Sequence, residues 1–169
     1  VLDGYRGALG LTADDVFTFT TPPDHDPVFR DLVLPLVVGA VVHVGAGTDV
    51  DDTPTALWLE KVGATVLHIT PSRGALMSAA HPDGSLPTLR RVVLHGDVLR
   101  YETVAALRRL APAAEVYNLY GTTETPQASA LRRIEQAEGF ADRPVPIAAS
   151  APHRKLVVLG PHGHQEVGV

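Results

Sequence analysis

The sequence predicts an α/β fold in which a mostly parallel sheet is flanked by helices on both faces. Strand-like and helix-like segments alternate about four times between Val16 and Tyr117, which is typical of a parallel sheet joined by helical crossovers. The strand-like segments are also nearly continuous apolar runs, as expected for strands that are covered on both faces. The alternation weakens beyond Pro126, where a short β-rich part is expected.

A strand is expected over residues 16–20, where apolar residues alternate with threonine and the following prolines end the strand. The segment from Pro27 predicts a helix because its apolar side chains share one face, at Phe29, Leu32, Val33 and Leu36. Pro35 lies inside this segment, so the helix is expected to kink or to end early.

The strand–helix order then repeats. A strand over residues 41–44 precedes a helix that Thr53 and Pro54 begin and Gly63 ends. A second strand, over residues 65–69, precedes a helix from Pro71 through Met77.

The last repeat leads to the end of the predicted sheet. A strand over residues 89–94 precedes a helix with apolar positions at Val104, Leu107 and Leu110, which Pro112 ends. A strand over residues 114–117 follows.

The C-terminal part is less regular. A strand is expected over residues 128–134, a loop over 135–152 and a strand over 154–159. We therefore expect residues 1–134 to form the α/β part and residues 135–169 to form a loop and the start of a further β region.

Composition excludes several classes of function. The length of 169 residues suits one domain, and a hydrophobic content of 45% with 20% charged residues is typical of a globular chain. The net charge of −5 argues against nucleic acid or an anionic membrane as a partner. The chain contains no cysteine, which excludes disulfides and thiolate chemistry. No apolar run approaches the ~20 residues of a membrane span and no cleavable signal is present, so a cytoplasmic location is expected.

The most informative stretch runs from Asn118 to Thr125, with the sequence Asn-Leu-Tyr-Gly-Thr-Thr-Glu-Thr. It follows a strand and is expected to form a single turn, since Gly121 permits a sharp turn and a close approach to a ligand. The hydroxyls of Thr122 and Thr123 can bind phosphate, and the carboxylate of Glu124 suits Mg²⁺. Tyr120 offers a face for a nucleobase, and Asn118 offers a donor and an acceptor for its edge. These groups together predict Mg·nucleotide binding, although a polar turn of this composition can also be purely structural.

Side chains at the carboxyl ends of the predicted strands provide a second argument for a ligand site. Asp26, His68, His95 and Leu119 all lie at or just after such strand ends. Ligands of open parallel sheets bind outside these ends. Asp26 precedes a proline-led helix and can also be an N-cap, whereas histidines in apolar strands are often hydrogen-bonded core residues. Both interpretations stay open for these residues.

The stretch from Asn118 to Glu124 resembles the Asn-x-Tyr-Gly-x-Thr-Glu signature of adenylate-forming (AMP-binding) enzymes, and especially the amino-acid adenylation domains of nonribosomal peptide synthetases. The resemblance covers about residues 9–169 and implies the flavodoxin-like subdomain of the large N-terminal core of such a domain. The run His25-Asp26-Pro27-Val28-Phe29-Arg30-Asp31 departs from the usual Phe-Asp-x-Ser pattern and is similar to the variant in α-aminoadipate reductases.

The resemblance implies a role for each site residue. Thr123 and Glu124 would be catalytic, with Thr123 at the phosphate and Glu124 as the Mg²⁺ ligand. The nucleotide would contact Gly96, Asn118, Tyr120, Gly121, Thr122 and Thr123. Asp26 would pair with the α-ammonium group of an amino-acid substrate, and the rest of the substrate pocket would comprise Pro27, Arg30, His68, Val93, His95, Leu119, Gln127 and Ala128.

The implied reaction is activation of an amino acid by Mg·ATP to an aminoacyl adenylate, with release of pyrophosphate. The adenylate would then be transferred to the phosphopantetheine thiol of a peptidyl carrier protein, so that the partners would be this carrier and neighbouring synthetase domains. The phosphate loop and the C-terminal lysine domain of the family are not found in the 169 residues. We therefore expect a central piece of a larger enzyme that is inactive alone. An acyl-CoA ligase-type piece and a non-catalytic, degenerate binding scaffold are the alternatives.

The substrate side chain is expected to be acidic or strongly polar. Asp26 and Arg30 are four residues apart, so they can face the same side of a helix that begins near Pro27. A buried guanidinium needs a carboxylate, which either the protein or the substrate must supply. Asp31 is expected to point to a different face of the helix. Gln127 stands where the variant group tends to carry a second arginine, so a neutral polar substrate stays open.

Overall fold

The computed structural model describes residues 2–20, 24, 26–45, 52–135, 143–147, 151 and 157. Five helices and six strands alternate in the described part of the chain. In order they are α1 (Leu2–Leu9), β1 (Val16–Phe19), α2 (Pro27–Val38), β2 (Val41–Val44), α3 (Asp52–Val62), β3 (Val66–Ile69), α4 (Pro71–Ala80), β4 (Arg91–His95), α5 (Tyr101–Leu110), β5 (Glu115–Thr122) and β6 (Thr125–Ile134).

The six strands form one sheet in the order β2-β1-β3-β4-β5-β6. The first five strands are parallel, and β6 is antiparallel to β5. The predicted fold class, a mostly parallel sheet with helices on both faces, is therefore confirmed. The strand order reverses between β1 and β3, because β2 lies on one side of β1 and the later strands lie on the other. Crossovers that share one hand but run in opposite directions place their helices on opposite faces of the sheet.

Two apolar clusters cover the two faces. The larger cluster packs helices α3, α4 and α5 onto one face, through residues such as Leu59, Met77 and Leu107. The smaller cluster packs α1 and α2 onto the other face, with Leu9 and Leu34 at its centre. Successive residues of a strand point to opposite faces, so the central strands contribute to both clusters.

Three differences from the sequence expectation have local causes. Helix α1 was not predicted, since its apolar face is short. Helix α2 does not end early at Pro35, because this proline lies in the last turn. Gly39 at φ 75° closes the helix there, with bonds from Gly39 N to the Leu36 carbonyl and from Ala40 N to the Pro35 carbonyl. Predicted helix and strand ends elsewhere move by a few residues. The strand expected over residues 154–159 and most of the loop expected over 135–152 lie outside the described residues.

The Asn118–Thr125 stretch does not form a single turn. Residues Asn118 to Thr122 continue β5, and the reversal comes at Thr123 and Glu124, before β6. Pairing with β6 satisfies the backbone along the motif, and the register shifts between Tyr120 and Thr122, at Gly121. Gly121 is not among the glycines with positive φ in the described chain, so the sharp turn expected there is wrong.

No helix in the described ranges is long and apolar enough to cross a membrane.

Candidate functional site

Two neighbouring cavities lie at the carboxyl ends of the parallel strands. The smaller cavity, of about 210 Å³, is lined by residues after β1 and at the ends of β4 and β5: Asp26, Pro27, Arg30, His95, Gly96, Leu119, Gly121, Thr122 and Thr123. The larger cavity, of about 570 Å³, is mainly apolar and is lined by Gly96, Asp97, Val98, Leu99, Asn118, Leu119, Tyr120, Gly121, Pro144, Val145 and Ile147. The cavities share the wall formed by Gly96, Leu119 and Gly121.

The alternation of side chains along β5 divides the motif between the two cavities. Tyr117 and Leu119 belong to the cluster on the α1–α2 face, whereas Val116 belongs to the cluster on the opposite face. With a side-chain period of two, Asn118 and Tyr120 point away from the α1–α2 face, and both line only the larger cavity. One strand thus supplies residues to both sites.

Gly96 forms the tight exit from β4 beside both cavities. Its φ of 86° lies in the left-handed region, which other residues adopt only with strain. The nearest described atom that a Cβ here would meet is Thr70 Cγ2 at 3.8 Å, so the constraint comes from the backbone and not from crowding among the described residues. The conformation directs the chain from the end of β4 into the wall of the larger cavity.

The segment of residues 143–147 closes the larger cavity from the side of α5. Its backbone is held by bonds from Tyr101 N to Arg143 O at 3.1 Å and from Val145 N to Leu99 O at 2.8 Å. Asn118 is 7% exposed, and its Nδ2 atom donates to the Val145 carbonyl at 3.4 Å. The side chain that was expected at the nucleobase edge therefore also ties this segment to β5.

A buried hydrogen-bonded chain leads from α1 to the smaller cavity. The Arg30 Nε atom donates to Asp31 Oδ1 at 2.9 Å, and His68 Nδ1 lies 2.9 Å from the same oxygen. The opposite ring nitrogen of His68 lies 3.0 Å from the Tyr5 hydroxyl. At the cavity, a terminal nitrogen of Arg30 lies 3.0 Å from His95 Nε2. The expectation that Asp31 points away from Arg30 is wrong, because Asp31 supplies the carboxylate that the buried guanidinium requires.

His68 and His95, the two histidines of this buried hydrogen-bonded network, are neutral. Burial lowers the pKa of His68, and the Arg30 charge lowers it further. Burial likewise lowers the pKa of His95 to about 3, again with help from Arg30. Burial also raises the pKa of Tyr5, so its hydroxyl keeps its proton and can donate to His68. Arg30 and Asp31 therefore form an ion pair within this buried network.

Asp26 lies in the wall of the smaller cavity at the start of α2. Its backbone is already helical, with φ −58° and ψ −29°, and its carboxylate makes no capping bond to the helix. An N-cap role, the alternative interpretation from the sequence, is not what this geometry provides. The carboxylate is instead placed where a cationic group in the cavity can reach it.

Not every expected pocket residue lies in the cavity wall. Pro27, Arg30, His95 and Leu119 line the smaller cavity as expected. His68 and Val93 are buried at 4% and 0% exposure and Ala128 on β6 at 2%, and none of the three is in the described lining of the smaller cavity. The side chain of Gln127 is outside the described part of the structure. Asp31 and Tyr5 were missed, although the position of Asp31 next to a buried arginine was a usable signal.

Thr122, Thr123 and Glu124 are exposed at the hairpin that borders the smaller cavity. Among the described residues no group of three metal-binding side chains is found. Mg²⁺ that accompanies a nucleotide usually takes only one or two protein carboxylates, with phosphate and water as its other ligands. A single exposed carboxylate beside two hydroxyls fits this kind of site, so Glu124 could hold the metal.

The structure is a mostly parallel α/β sheet with two adjoining cavities at the carboxyl ends of its strands, the edge at which such sheets bind ligands. The chain belongs to the AMP-binding enzyme family, since the model of this family matches residues 2–169.

Similar sequences include two L-2-aminoadipate reductases. The large subunit from Penicillium chrysogenum is 38% identical over 118 residues, which is 70% of this chain and 8% of that protein. The Saccharomyces cerevisiae reductase is 38% identical over 122 residues, or 71% of this chain and 9% of that protein. An L-proline–[L-prolyl-carrier protein] ligase from Streptomyces coelicolor is 32% identical over 84% of this chain and 27% of its own length. The chain thus spans only a small part of these relatives.

Solved structures confirm the fold. CmiS6 superposes with a TM-score of 0.85 at 25% identity, over 99% of this chain and 41% of its own. The adenylation domain AlmE of Vibrio cholerae, in complex with glycyl-adenosine-5'-phosphate, superposes with a TM-score of 0.83 at 23% identity, over 96% of this chain and 30% of its own. The chain thus shares its fold with part of the adenylation domain AlmE.

Proposed function

We propose that this chain forms the nucleotide- and amino-acid-binding core of an enzyme that activates an amino acid as its adenylate. The observation that carries the proposal is the pair of cavities that share the wall of Gly96, Leu119 and Gly121. Adenylation requires two ligands whose reacting ends meet. A mainly apolar cavity suits a nucleobase, and an adjoining polar cavity with a carboxylate suits an amino acid.

Each cavity has a defined role in the proposed reaction. The larger cavity would hold the adenine between Tyr120 and the 143–147 segment. In the smaller cavity, the Asp26 carboxylate would pair with the α-ammonium group of the amino acid. The substrate carboxylate would then point toward the shared wall and attack the α-phosphate of ATP, with pyrophosphate as the leaving group.

The protein would contribute mainly positioning and charge stabilisation. Thr122 and Thr123 border the smaller cavity with exposed hydroxyls that can bind the phosphate oxygens. Glu124 would hold Mg²⁺, which when bound neutralises phosphate charge. His68 and Val93 would support the amino-acid site from below and not touch the substrate, and Ala128 and Gln127 would belong to its outer part.

The carrier protein and the phosphopantetheine thiol that would accept the adenylate are part of the same proposal. The similarity to a prolyl-carrier protein ligase and to large synthetases supports it. AlmE, which shares this fold, was solved in complex with glycyl-adenosine-5'-phosphate, and this supports an aminoacyl adenylate as the product. A cytoplasmic location and a division of the chain near residue 134 also remain proposals.

Amino-acid-dependent ATP–pyrophosphate exchange by the complete protein tests the proposal. Asp26→Asn should raise the KM for the amino acid by roughly ten- to a hundredfold, since a charged hydrogen bond contributes roughly 1.5–3 kcal/mol, and should leave the KM for ATP nearly unchanged. Asp83→Asn, on the exposed loop before β4, is the matched control.

The other outcomes identify the alternatives. Exchange with carboxylic acids that lack an amino group, unaffected by Asp26→Asn, would indicate an acyl-CoA ligase-type enzyme. Absence of exchange with every amino acid and every acid, together with intact ATP binding, would indicate a binding scaffold.

A further inference from the structure

The guanidinium of Arg30 is the only cation among the described residues that line the smaller cavity. It is 2% exposed, and its charge is matched within the protein by Asp31, which is also 2% exposed. The remaining members of the buried chain, His68, His95 and Tyr5, are neutral. The side-chain end of the cavity therefore presents a polar but electrically balanced surface to a substrate.

The direction of each hydrogen bond in the chain follows from the chemistry of arginine. A guanidinium has donors and no acceptor, so His95 Nε2 must accept the bond from Arg30. A neutral imidazole with an accepting Nε2 carries its proton on Nδ1. Arg30 therefore fixes one tautomer of His95, in which the second ring nitrogen is a donor.

Arg30 and His95 each keep N–H groups that have no acceptor among the described residues. The described part of the chain offers none to His95 Nδ1–H, and it uses only the Nε and one terminal nitrogen of Arg30. Both side chains line the cavity. A substrate that fills the cavity displaces water from these donors, so a substrate that supplies an oxygen here gains affinity over one that supplies a methyl group.

Charge decides which oxygen is favoured. A substrate carboxylate next to Arg30 would also lie close to Asp31, and two carboxylates would then share one guanidinium in a site with little water. A carbonyl oxygen accepts the same hydrogen bonds without this repulsion.

We propose that the side-chain end of the smaller cavity selects an amino acid with an uncharged, hydrogen-bond-accepting side chain, of the carboxamide class, over both the acidic and the aliphatic analogue. The proposal rests on the proposed function and specifies the substrate class of the same site. His95 and Arg30 are the specificity-determining residues, and Asp31 is a positioning residue that balances the charge of Arg30.

Two sets of isosteric amino acids test this selection in ATP–pyrophosphate exchange by the complete wild-type protein. The first set is leucine, asparagine and aspartate, and the second is methionine, glutamine and glutamate. Within at least one set, the amide should exceed both analogues in kcat/KM by about tenfold or more, since a matched buried polar contact discriminates at least that strongly. Preference for the acidic or the aliphatic member in both sets would overturn the proposal.

The variant Asp31→Asn tests the reason for the selection. Asparagine retains an oxygen for His68 and Arg30 but removes the balancing charge. The ratio of kcat/KM for the acid to that for the amide should therefore rise by about tenfold or more. An unchanged ratio in a variant with normal ATP binding would contradict the assigned role of Asp31.

The variant His95→Phe is a second, independent measurement. It removes the donor and should decrease the advantage of the amide over the aliphatic analogue, whereas an unchanged advantage would contradict the role of His95. Activity in exchange with amino acids outside both sets but with none inside them would overturn the substrate class and leave the proposed function intact. Absence of exchange with any amino acid would overturn both.

Discussion

A terminal guanidinium nitrogen of Arg30 lies 3.0 Å from Nε2 of His95. This contact links the first turns of α2 to the last residue of β4, at the point where both border the smaller cavity. Because arginine keeps its proton at all ordinary pH values, His95 can accept this bond only as a neutral ring. Protonation of His95 would replace a hydrogen bond by a repulsion between two buried cations.

The first prediction is a loss of stability in mild acid. Unfolded histidine has a pKa near 6.5, whereas that of His95 in the folded chain is lowered to about 3, first by burial and then by Arg30. Between these values the unfolded state binds more protons, so stability is complete above about pH 6.5 and decreases as the pH falls. The lowered pKa of His68 acts in the same direction. Thermal unfolding of the complete protein at pH 7 and pH 5 measures the effect.

The variant His95→Gln provides the comparison for this prediction. Glutamine cannot titrate, so the difference in melting temperature between pH 7 and pH 5 should be smaller in the variant than in the wild type. An equal difference in both proteins would show that His95 is not protonated more readily on unfolding.

The second prediction separates two neighbours on β5. Asn118 is buried and bonded to the Val145 carbonyl, whereas Tyr120 is 42% exposed. Asn118→Ala should raise the KM for ATP and lower the melting temperature, because it leaves a buried carbonyl unpaired at a cost of roughly 1–3 kcal/mol. Tyr120→Ala should raise the KM for ATP with little change in stability. If Tyr120→Ala lowered the melting temperature as much as Asn118→Ala, the assigned difference in their surroundings would be wrong.

The third prediction concerns the left-handed backbone at Gly96. Gly96→Ala should destabilise the protein by roughly 1–2 kcal/mol, the cost of a left-handed conformation for a residue with a Cβ atom. It should also raise the KM for ATP and for the amino acid, since Gly96 lies in the wall shared by both cavities.

Gly7→Ala is the control: this position in α1 has open space around its Cβ, so the substitution should stabilise by roughly 0.5–1 kcal/mol. Equal effects of the two substitutions would contradict the backbone argument.

How far the sequence predicts this site depends on which interactions are local. Side-chain alternation along β5 is a local property. Once β5 is known to be a strand, it follows that Asn118 and Tyr120 point to one face of the sheet and Leu119 to the other. A turn was expected there instead, because Gly121 is a strong local turn signal. Pairing with the antiparallel strand β6 outweighs that signal, and such pairing is a tertiary contact that no local pattern contains.

The buried chain behind the smaller cavity was predictable only in part. The need of Arg30 for a carboxylate follows from elementary electrostatics, and Asp31 is its neighbour in the sequence. Adjacent residues on a regular helix point in different directions, which is why Asp31 was assigned to another face. Long side chains can bend toward each other when both are excluded from water, and His68 of β3 holds Asp31 in that orientation. Tyr5 lies 63 residues from His68 in the sequence, so only the fold brings them together.

The fourth prediction is that Thr18→Val stabilises the protein or leaves its stability unchanged. Thr18 lies on β1 at 3% exposure, and its hydroxyl oxygen has no hydrogen-bond partner among the described residues. Valine has nearly the same shape and removes the unpaired polar atom. Denaturant unfolding measures the change. A destabilisation of more than about 1 kcal/mol, the typical net value of a hydrogen bond, would show that the hydroxyl has a partner after all.

The last prediction concerns Glu124 in the turn between β5 and β6. The residue is exposed, so it contributes little to packing and its replacement should leave the melting temperature unchanged. If it holds Mg²⁺ at the phosphates, Glu124→Gln should lower kcat/KM for ATP–pyrophosphate exchange by about a hundredfold, as expected for loss of a group that stabilises transition-state charge. The loss should become smaller at high Mg²⁺ concentration, because weaker metal binding can be offset by mass action.

Glu60→Gln, on the exposed side of α3, is the control for removal of a surface carboxylate. Near-normal exchange by Glu124→Gln at ordinary Mg²⁺ concentration would exclude the metal role, and a lowered melting temperature would instead make Glu124 a structural residue of the hairpin.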